Sequence, residues 1–377
     1  RDTVDEGNYR CNMNSSDTVP VGVTAAQVAF LALIVGGLLG LAGLIALCLM
    51  VWFSHQRFGV DRSAKHGISV KDTSRMGGVA LALFLLVIWI GSVSSVGLNY
   101  PFLPGFSWSS SFFILALLIG FIGFFDDLGL SFTPFTRLIL TAVILLIGFV
   151  LVPSWLPNRI LIFLGTNSFA FDVLLLVFSI IICIGFINAG NMADGANGLF
   201  SGICLAFFFC AWWLTAQHIY FMLIIGLLCF FLINVLTGRI IMGDFGTYGI
   251  SALIALTGFD LFDQELVGLA YLATLLSYPC LEMLRIFFVR IYKGRSPFQA
   301  DNQHVHNALN GFFRIKVRSN TLANSLTGVL IASLSTMPAV FLLLQGAQTN
   351  ELLCAIVFGG QCLIFAVIHR RYMVNVD

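Results

Sequence analysis

Gly185-Phe186-Ile187-Asn188-Ala189-Gly190-Asn191-Met192-Ala193-Asp194-Gly195-Ala196-Asn197-Gly198-Leu199 lies between two strongly apolar runs, yet it carries three amides, a carboxylate and four glycines. Polar groups at the end of a membrane span are costly unless they find partners, which makes them functional candidates. Asn188, Asn191, Asp194 and Asn197 recur every third residue. Each step of three slips about 60° around an α-helix, so a straight helix spreads the four over half its circumference. A 3₁₀ turn, or a break at Gly190 and Gly195, gathers them on one side. The stretch therefore predicts an interrupted helix end facing a polar cleft near the membrane surface.

Outward from this stretch the chain is apolar. Of its 377 residues 59% are hydrophobic and 10% charged, and the mean hydropathy is +0.96. A soluble domain of this size does not have that composition; an all-α polytopic membrane protein does. The nine cysteines sit mostly inside apolar runs without CxxC or histidine spacing, as small buried hydrophobes do. About eleven spans of near-bilayer length can be drawn, over 25–53, 77–98, 111–125, 138–153, 169–187, 198–214, 219–236, 248–259, 266–289, 321–344 and 352–368. The third and eighth read as short. With the N-terminus outside, all of the nineteen Lys and Arg except Arg1, Arg10 and Arg159 fall inside or on the inner half of a span. That is the asymmetry of a cytoplasmic face. The outside loop 260–265 is acidic (Asp260, Asp263, Glu265).

Four more polar clusters share that face. The loop 54–76 holds Asp61, Arg62, Lys65, His66, Lys71 and Arg75 and runs into Gly77-Gly78: positive-inside charge on one reading, an anion-binding collar on the other. Asp126 and Asp127 close an apolar run, with Arg137 further on. Adjacent carboxylates that repel and lose hydration persist where a cation or a positive helix end compensates them. Neighbours on a helix point about 100° apart, so the two take different partners. Met242-Gly243-Asp244-Phe245-Gly246-Thr247 sets a carboxylate between glycines, which alone is ordinary turn chemistry. Lys293 to His306 carries Arg295, Asp301, His304 and His306. Histidines at i and i+2 diverge on a helix but share a face on an extended segment, where they suit phosphate oxygens better than zinc. Together these clusters have the composition of a site where a divalent cation meets phosphates, and hard oxygen donors suit Mg²⁺ or Mn²⁺.

The chain resembles the polyprenyl-phosphate N-acetylhexosamine-1-phosphate transferases, the family that includes MraY, WecA and TagO, over roughly residues 57–310. The matching motifs are Asp61…Lys65-His66…Arg75-Met76-Gly77-Gly78, Asp126-Asp127, Asn188-x-x-Asn191-x-x-Asp194-Gly195-x-x-Gly198-Leu199, Met242-Gly243-Asp244-x-Gly246-Thr247 and Arg295-Ser296-Pro297-Phe298…Asp301-x-Gln303-His304-x-His306. Five motifs in order are far more specific than any one. The eleven-span plan is similar to the WecA branch. The resemblance implies transfer of a sugar-1-phosphate from a UDP-N-acetylhexosamine to undecaprenyl or another polyprenyl phosphate, with release of UMP and a need for Mg²⁺ or Mn²⁺. It implies Asn191 and Asp244 as metal ligands and Asp126-Asp127 as the catalytic pair. Asn188, Asp194, Asn197, Arg295, His304 and His306 are implied at the nucleotide-sugar, and Lys65, His66, Arg75 and Arg137 at the lipid phosphate. Bacterial members usually have Asp where this chain has Asn197, and another His where it has Asn307.

The chemistry agrees with that reading. An anionic phosphate must approach an anionic pyrophosphate. Two unit charges ~4 Å apart repel by about 4 kcal/mol at an effective dielectric near 20, which is roughly three decades of rate. A metal at the pyrophosphate with Arg and His at its edge offsets the repulsion. The expected organisation is a polar extracytoplasmic segment 1–24, a transferase domain 25–368 and a cytoplasmic tail 369–377. The expected setting is a bacterial inner membrane, with the lipid bilayer as partner, no nucleic acid, and a homodimer admitted. The competing readings are an MraY-type phospho-MurNAc-pentapeptide transferase and, more remotely, a secondary transporter of an anionic solute. A transporter expects polar residues at the midplane and repeated halves, whereas the polar residues here gather at one face.

Overall fold

In the computed structural model the described residues are 24–56, 59–61, 72–95, 112–130, 132–164, 168–294 and 304–372. They form α1 (Ala25–Ser54), α2 (Gly77–Ser95), α3 (Phe112–Asp127), α4 (Pro134–Leu151), α5 (Arg159–Leu164), α6 (Phe169–Ala193), α7 (Leu199–Thr215), α8 (His218–Thr237), α9 (Gly243–Asp263), α10 (Leu269–Leu275), α11 (Ser277–Tyr292), α12 (Val305–Lys316), α13 (Asn320–Leu344) and α14 (Glu351–Tyr372). Two-residue strands β1 (Val60–Asp61) and β2 (Thr73–Ser74) pair antiparallel. Among the described residues seven helices are long and apolar enough to cross a membrane, or eight if the bent pair α10–α11 counts as one span. The remaining expected spans are the shorter helices α2, α3 and α7. The protein is an all-α polytopic membrane protein.

Two of the expected spans change. The span drawn as 248–259 is the 21-residue α9, which starts at Gly243. The span drawn as 266–289 breaks between α10 and α11 with an 84° bend.

Helix α9 is the buried axis of the bundle, and small residues let its neighbours close on it, as in membrane helix pairs generally. A Cβ on Gly123 of α3 would lie 2.2 Å from the Asp244 carbonyl oxygen, and one on Gly78 of α2 would lie 2.2 Å from the Cα of Gly246. These contacts bring the end of α3, with its two carboxylates, against the start of α9. The segment after β2 is tied to the same place through its backbone. Ser74 N donates to Arg239 O (3.0 Å), Ile241 N to Ser74 O (2.8 Å), Gly77 N to Ile241 O (3.1 Å) and Gly78 N to Met242 O (2.8 Å). The first and fourth polar motifs thus run side by side.

Helix α6 continues through Gly190 and ends at Ala193, with Asp194 as its cap, so the expected break at Gly190 does not occur. Gly190 is instead a packing glycine, since a Cβ there would lie 2.0 Å from the Ser251 hydroxyl on α9. The chain turns over residues 194–198, and Gly198 takes a φ of 81° before α7 begins. Gly198 N donates to Asn234 Oδ1 (2.6 Å), whose amide donates on to Ile240 O (2.7 Å). This turn is thereby locked to the Met242-Gly243-Asp244 segment.

Candidate active site at the amino end of helix α9

The first N–H groups of a helix have no partner within it, and that end carries partial positive charge. At α9 two carboxylates from elsewhere in the chain answer both needs. Asp127, the last residue of α3, accepts the Asp244 N–H on Oδ1 (3.0 Å) and the Phe245 N–H on Oδ2 (2.9 Å). Asp194 accepts the Met242 N–H on Oδ2 (3.0 Å). The turn between them requires Gly243. Its φ is 74°, and a Cβ would lie 1.9 Å from the Arg75 carbonyl oxygen.

Asn191 joins one helical turn before Asp194, its Oδ1 accepting the Thr247 hydroxyl at 2.9 Å. Asp244 belongs to the first turn of α9 itself. Asp126 turns away from its neighbour, accepting the Phe132 N–H (3.0 Å) and pairing with Arg137 Nη1 (2.5 Å). The same guanidinium nitrogen lies 3.7 Å from Asp244 Oδ2. Four carboxylates and an amide oxygen thus gather at one helix end, with Arg137 among them. Enclosure by protein pushes Asp194 well above the usual carboxylate range; N–H bonds from Gly243 and Met242 pull it down, and the Asp244 and Asp127 charges push it up.

The histidine motif packs alongside. His304 is the extended residue before α12, so the two imidazoles share a face and stack 5.1 Å apart with a 5° angle between planes. His306 is buried, and its Nδ1 is 2.9 Å from the Tyr278 hydroxyl. A Cβ on Gly195 would lie 2.4 Å from its Nε2, so the ring rests on the turn that follows Asp194. Burial, with the charges of His304 and Arg285 adding and Glu282 opposing, lowers its pKa to about 3.

Of the other expected site residues, Asn188 and Asn197 fall elsewhere. Asn188 is exposed, and its amide donates to Ile184 O one turn back (2.8 Å). Asn197 is buried against α13, its N–H donating to Asn324 Oδ1 (3.0 Å) and its amide to Ser325 Oγ (3.3 Å). Arg75 is half-buried, its N–H donates to Gly59 O (2.8 Å), and its charge acts on Asp127. Lys65, His66 and Arg295 lie outside the described residues. Sequence reading missed Glu282 and Arg285, an i, i+3 pair inside the apolar α11 whose Glu282 Oε1 also reaches His304 Nδ1 (3.2 Å). An acid in a membrane span is the signal that could have found it.

This fold and site define a polytopic membrane protein with an oxygen-rich anionic centre at the amino end of a buried helix. Residues 109–261 match the profile of glycosyl transferase family 4. An undecaprenyl-phosphate alpha-N-acetylglucosaminyl 1-phosphate transferase from Thermotoga maritima is 26% identical over 248 residues, covering 66% of this chain and 70% of that protein. One from Yersinia pestis is 31% identical over 140 residues, 33% of this chain and 37% of its own length. A phospho-N-acetylmuramoyl-pentapeptide-transferase from Streptococcus uberis is 27% identical over 310 residues, covering 72% of this chain and 88% of that protein. The chain is similar to the glycosyl transferase family 4 profile over residues 109–261 and, over about two thirds of its length, to these sugar-phosphate transferases.

Proposed function

We propose that this protein transfers N-acetylhexosamine-1-phosphate from a UDP-sugar to undecaprenyl or another polyprenyl phosphate, releasing UMP and forming the lipid-linked sugar that starts a cell-envelope glycan. It does so at the cytoplasmic face of a bacterial plasma membrane, the orientation supported by the Lys and Arg asymmetry. The observation that carries this reading is the convergence of Asp127, Asp194, Asn191 and Asp244 on the first turn of α9.

That donor set fits a hard dication. Among the described residues no three His, Cys, Asp or Glu side chains form a metal-holding group; Asp127 and Asp194 are engaged with backbone amides. Mg²⁺ typically takes one or two protein carboxylates and completes its shell with water and substrate phosphates. The Asp244 carboxylate and Asn191 Oδ1 are the groups that would hold it. When bound, the cation neutralises pyrophosphate charge and stabilises the departing UMP. The chain's own residues do the rest. Asp127 and Asp194 fix the α9 turn, Arg137 holds Asp126 and stands near Asp244, and His304 stands beside His306, which abuts the Asp194 turn. The lipid phosphate is already ionised at neutral pH, with a second pKa near ~6 by analogy with phospho-side chains. Direct attack therefore needs positioning and charge neutralisation more than a covalent relay.

A lipid acceptor is supported by an apolar cavity of ≈ 340 Å³ between α2, α3, α8 and α9, lined by residues including Leu86, Leu117, Phe121, Phe124 and Phe245. Phe245 is the residue whose N–H Asp127 accepts, so the cavity adjoins the site. An apolar cavity of about 150 Å³ stays dry and takes a benzene, and this one is large enough for isoprene units. A second reading, a phospho-N-acetylmuramoyl-pentapeptide transferase, is favoured by the coverage of the Streptococcus uberis relative.

The test is purified protein given undecaprenyl phosphate, Mg²⁺ and a panel of UDP-sugars including UDP-MurNAc-pentapeptide, with UMP as readout. UMP from a UDP-N-acetylhexosamine is expected. UMP only from the pentapeptide donor would move the assignment to the second reading, and none from any donor would sink both.

A further inference from the structure

Glu282 is a buried carboxylate within α11, a position where an acid survives only with partners. It has four. Arg285 donates through Nε (3.1 Å) and Nη2 (2.7 Å), the Val305 N–H donates at 3.1 Å, and His304 Nδ1 is 3.2 Å away. An ionised carboxylate only accepts, so the His304 nitrogen facing it must carry the proton. That leaves Nε2 as the ring's other polar atom. The second partner of an imidazole fixes both its tautomer and its orientation.

The ring's plane is fixed as well. His304 stacks on His306, whose Nδ1 is held by the Tyr278 hydroxyl and whose Nε2 edge abuts Gly195, next to Asp194. Val305, between the two histidines, gives its N–H to the same carboxylate oxygen that meets His304. One buried side chain thus governs both the start of α12 and the tautomer of its first imidazole.

We infer that Glu282 is the positioning residue of His304: it holds Nδ1 protonated and turns Nε2 outward, so that the doubly protonated ring donates its Nε2–H to a phosphate oxygen of the nucleotide-sugar. The inference rests on the proposed transferase reading. Arg285 donates two hydrogen bonds to Glu282, and neither residue need touch substrate.

The experiment is a double-mutant cycle on the full-length enzyme, measuring kcat/KM for the UDP-sugar in wild type, Glu282→Gln, His304→Ala and the double variant. Glu282→Gln should lower kcat/KM by about tenfold or more in the wild-type background, as loss of such a supporting partner does. In the His304→Ala background it should change kcat/KM by less than about twofold, because residues acting through one another are not additive. An equal loss in both backgrounds, or none in the first, overturns the inference. If Glu282→Gln fails to fold, ¹⁵N-histidine NMR of the wild type, with His304 assigned by its loss in His304→Ala, reads the tautomer directly. A proton on Nδ1 supports the inference, and a ring protonated on Nε2 alone refutes it. Wild type that releases no UMP sinks the transferase reading, while the tautomer still decides the role of Glu282.

Discussion

The Asp127 carboxylate at the end of α3 accepts the N–H of Phe245 at 2.9 Å and, on its other oxygen, that of Asp244 at 3.0 Å. A residue implied as catalytic is thus also the cap that sets the first turn of α9. The Asp127→Asn variant keeps one acceptor oxygen and turns an NH₂ toward a backbone donor. It should lose about 1–2 kcal/mol of stability, read as a lower melting temperature in detergent. UMP release should fall by about two decades, the scale of losing one preorganised electrostatic partner. That loss should persist between about pH 7 and 9. Recovery of rate with rising pH would instead make Asp127 the acceptor of the lipid phosphate's last proton.

Asp244 carries the prediction about the metal. Asp244→Asn keeps the side-chain shape and removes a charge that a hard dication needs. Activity at limiting Mg²⁺ should fall by about 100-fold and return partly at high Mg²⁺, since a metal partner's loss acts on affinity. The melting temperature without metal should change little, because the carboxylates that accept the α9 amides are those of Asp127 and Asp194. An unaltered Mg²⁺ dependence would exclude Asp244 as a ligand.

Which parts of this were legible in the sequence follows from which interactions are local. The divergence of Asp126 and Asp127 follows from helix geometry alone, and the structure gives them separate partners, Arg137 and the α9 amides. The stacking of His304 on His306 needed only that His304 be extended. Gly190 was misread because a glycine is both a helix breaker and a contact point. Only the approach of Ser251, from a helix distant in sequence, decides between them. Asn197 shares the spacing of Asn191 and Asp194, yet the turn after α6 sends it to α13. Glu282 lay unnoticed in an apolar run because its partner His304 arrives from beyond α11.

The cavity beside Phe245 gives a prediction about the lipid. Ala82→Phe adds a ring to a wall of that cavity without touching the carboxylates at α9. The KM for a long-chain polyprenyl phosphate should rise about tenfold or more, the effect of a ~1.4 kcal/mol loss. Binding of the uridine nucleotide, measured by calorimetry, should stay within about twofold of wild type. Unchanged kinetics with the long-chain acceptor would remove the cavity from the acceptor's path.

His306 yields a prediction about pH and stability. Its pKa in the folded protein is lowered to about 3 by burial, against about 6.5 in an unfolded chain. The folded state therefore holds the ring neutral while the unfolded state takes up a proton below about pH 6.5. The sign follows: the contribution of His306 is fully present above about pH 6.5 and is lost as pH falls toward about 3, at about 1.4 kcal/mol per pH unit inside that window. Asp194 works in the opposite sense, since its raised pKa adds stability at low pH that is lost as pH rises through its folded value. The comparison must therefore be wild type against a variant, not one pH against another. His306→Asn removes the titrating ring and the contact to Tyr278, so it should melt lower than wild type at pH 7. Between about pH 6.5 and 5 the gap should narrow, because only wild type loses stability through this ring. Melting curves of the two proteins in detergent, without nucleotide or metal, make the measurement. A gap that stays constant across this window would mean that the folded protein accepts a proton on His306 as readily as the unfolded chain does.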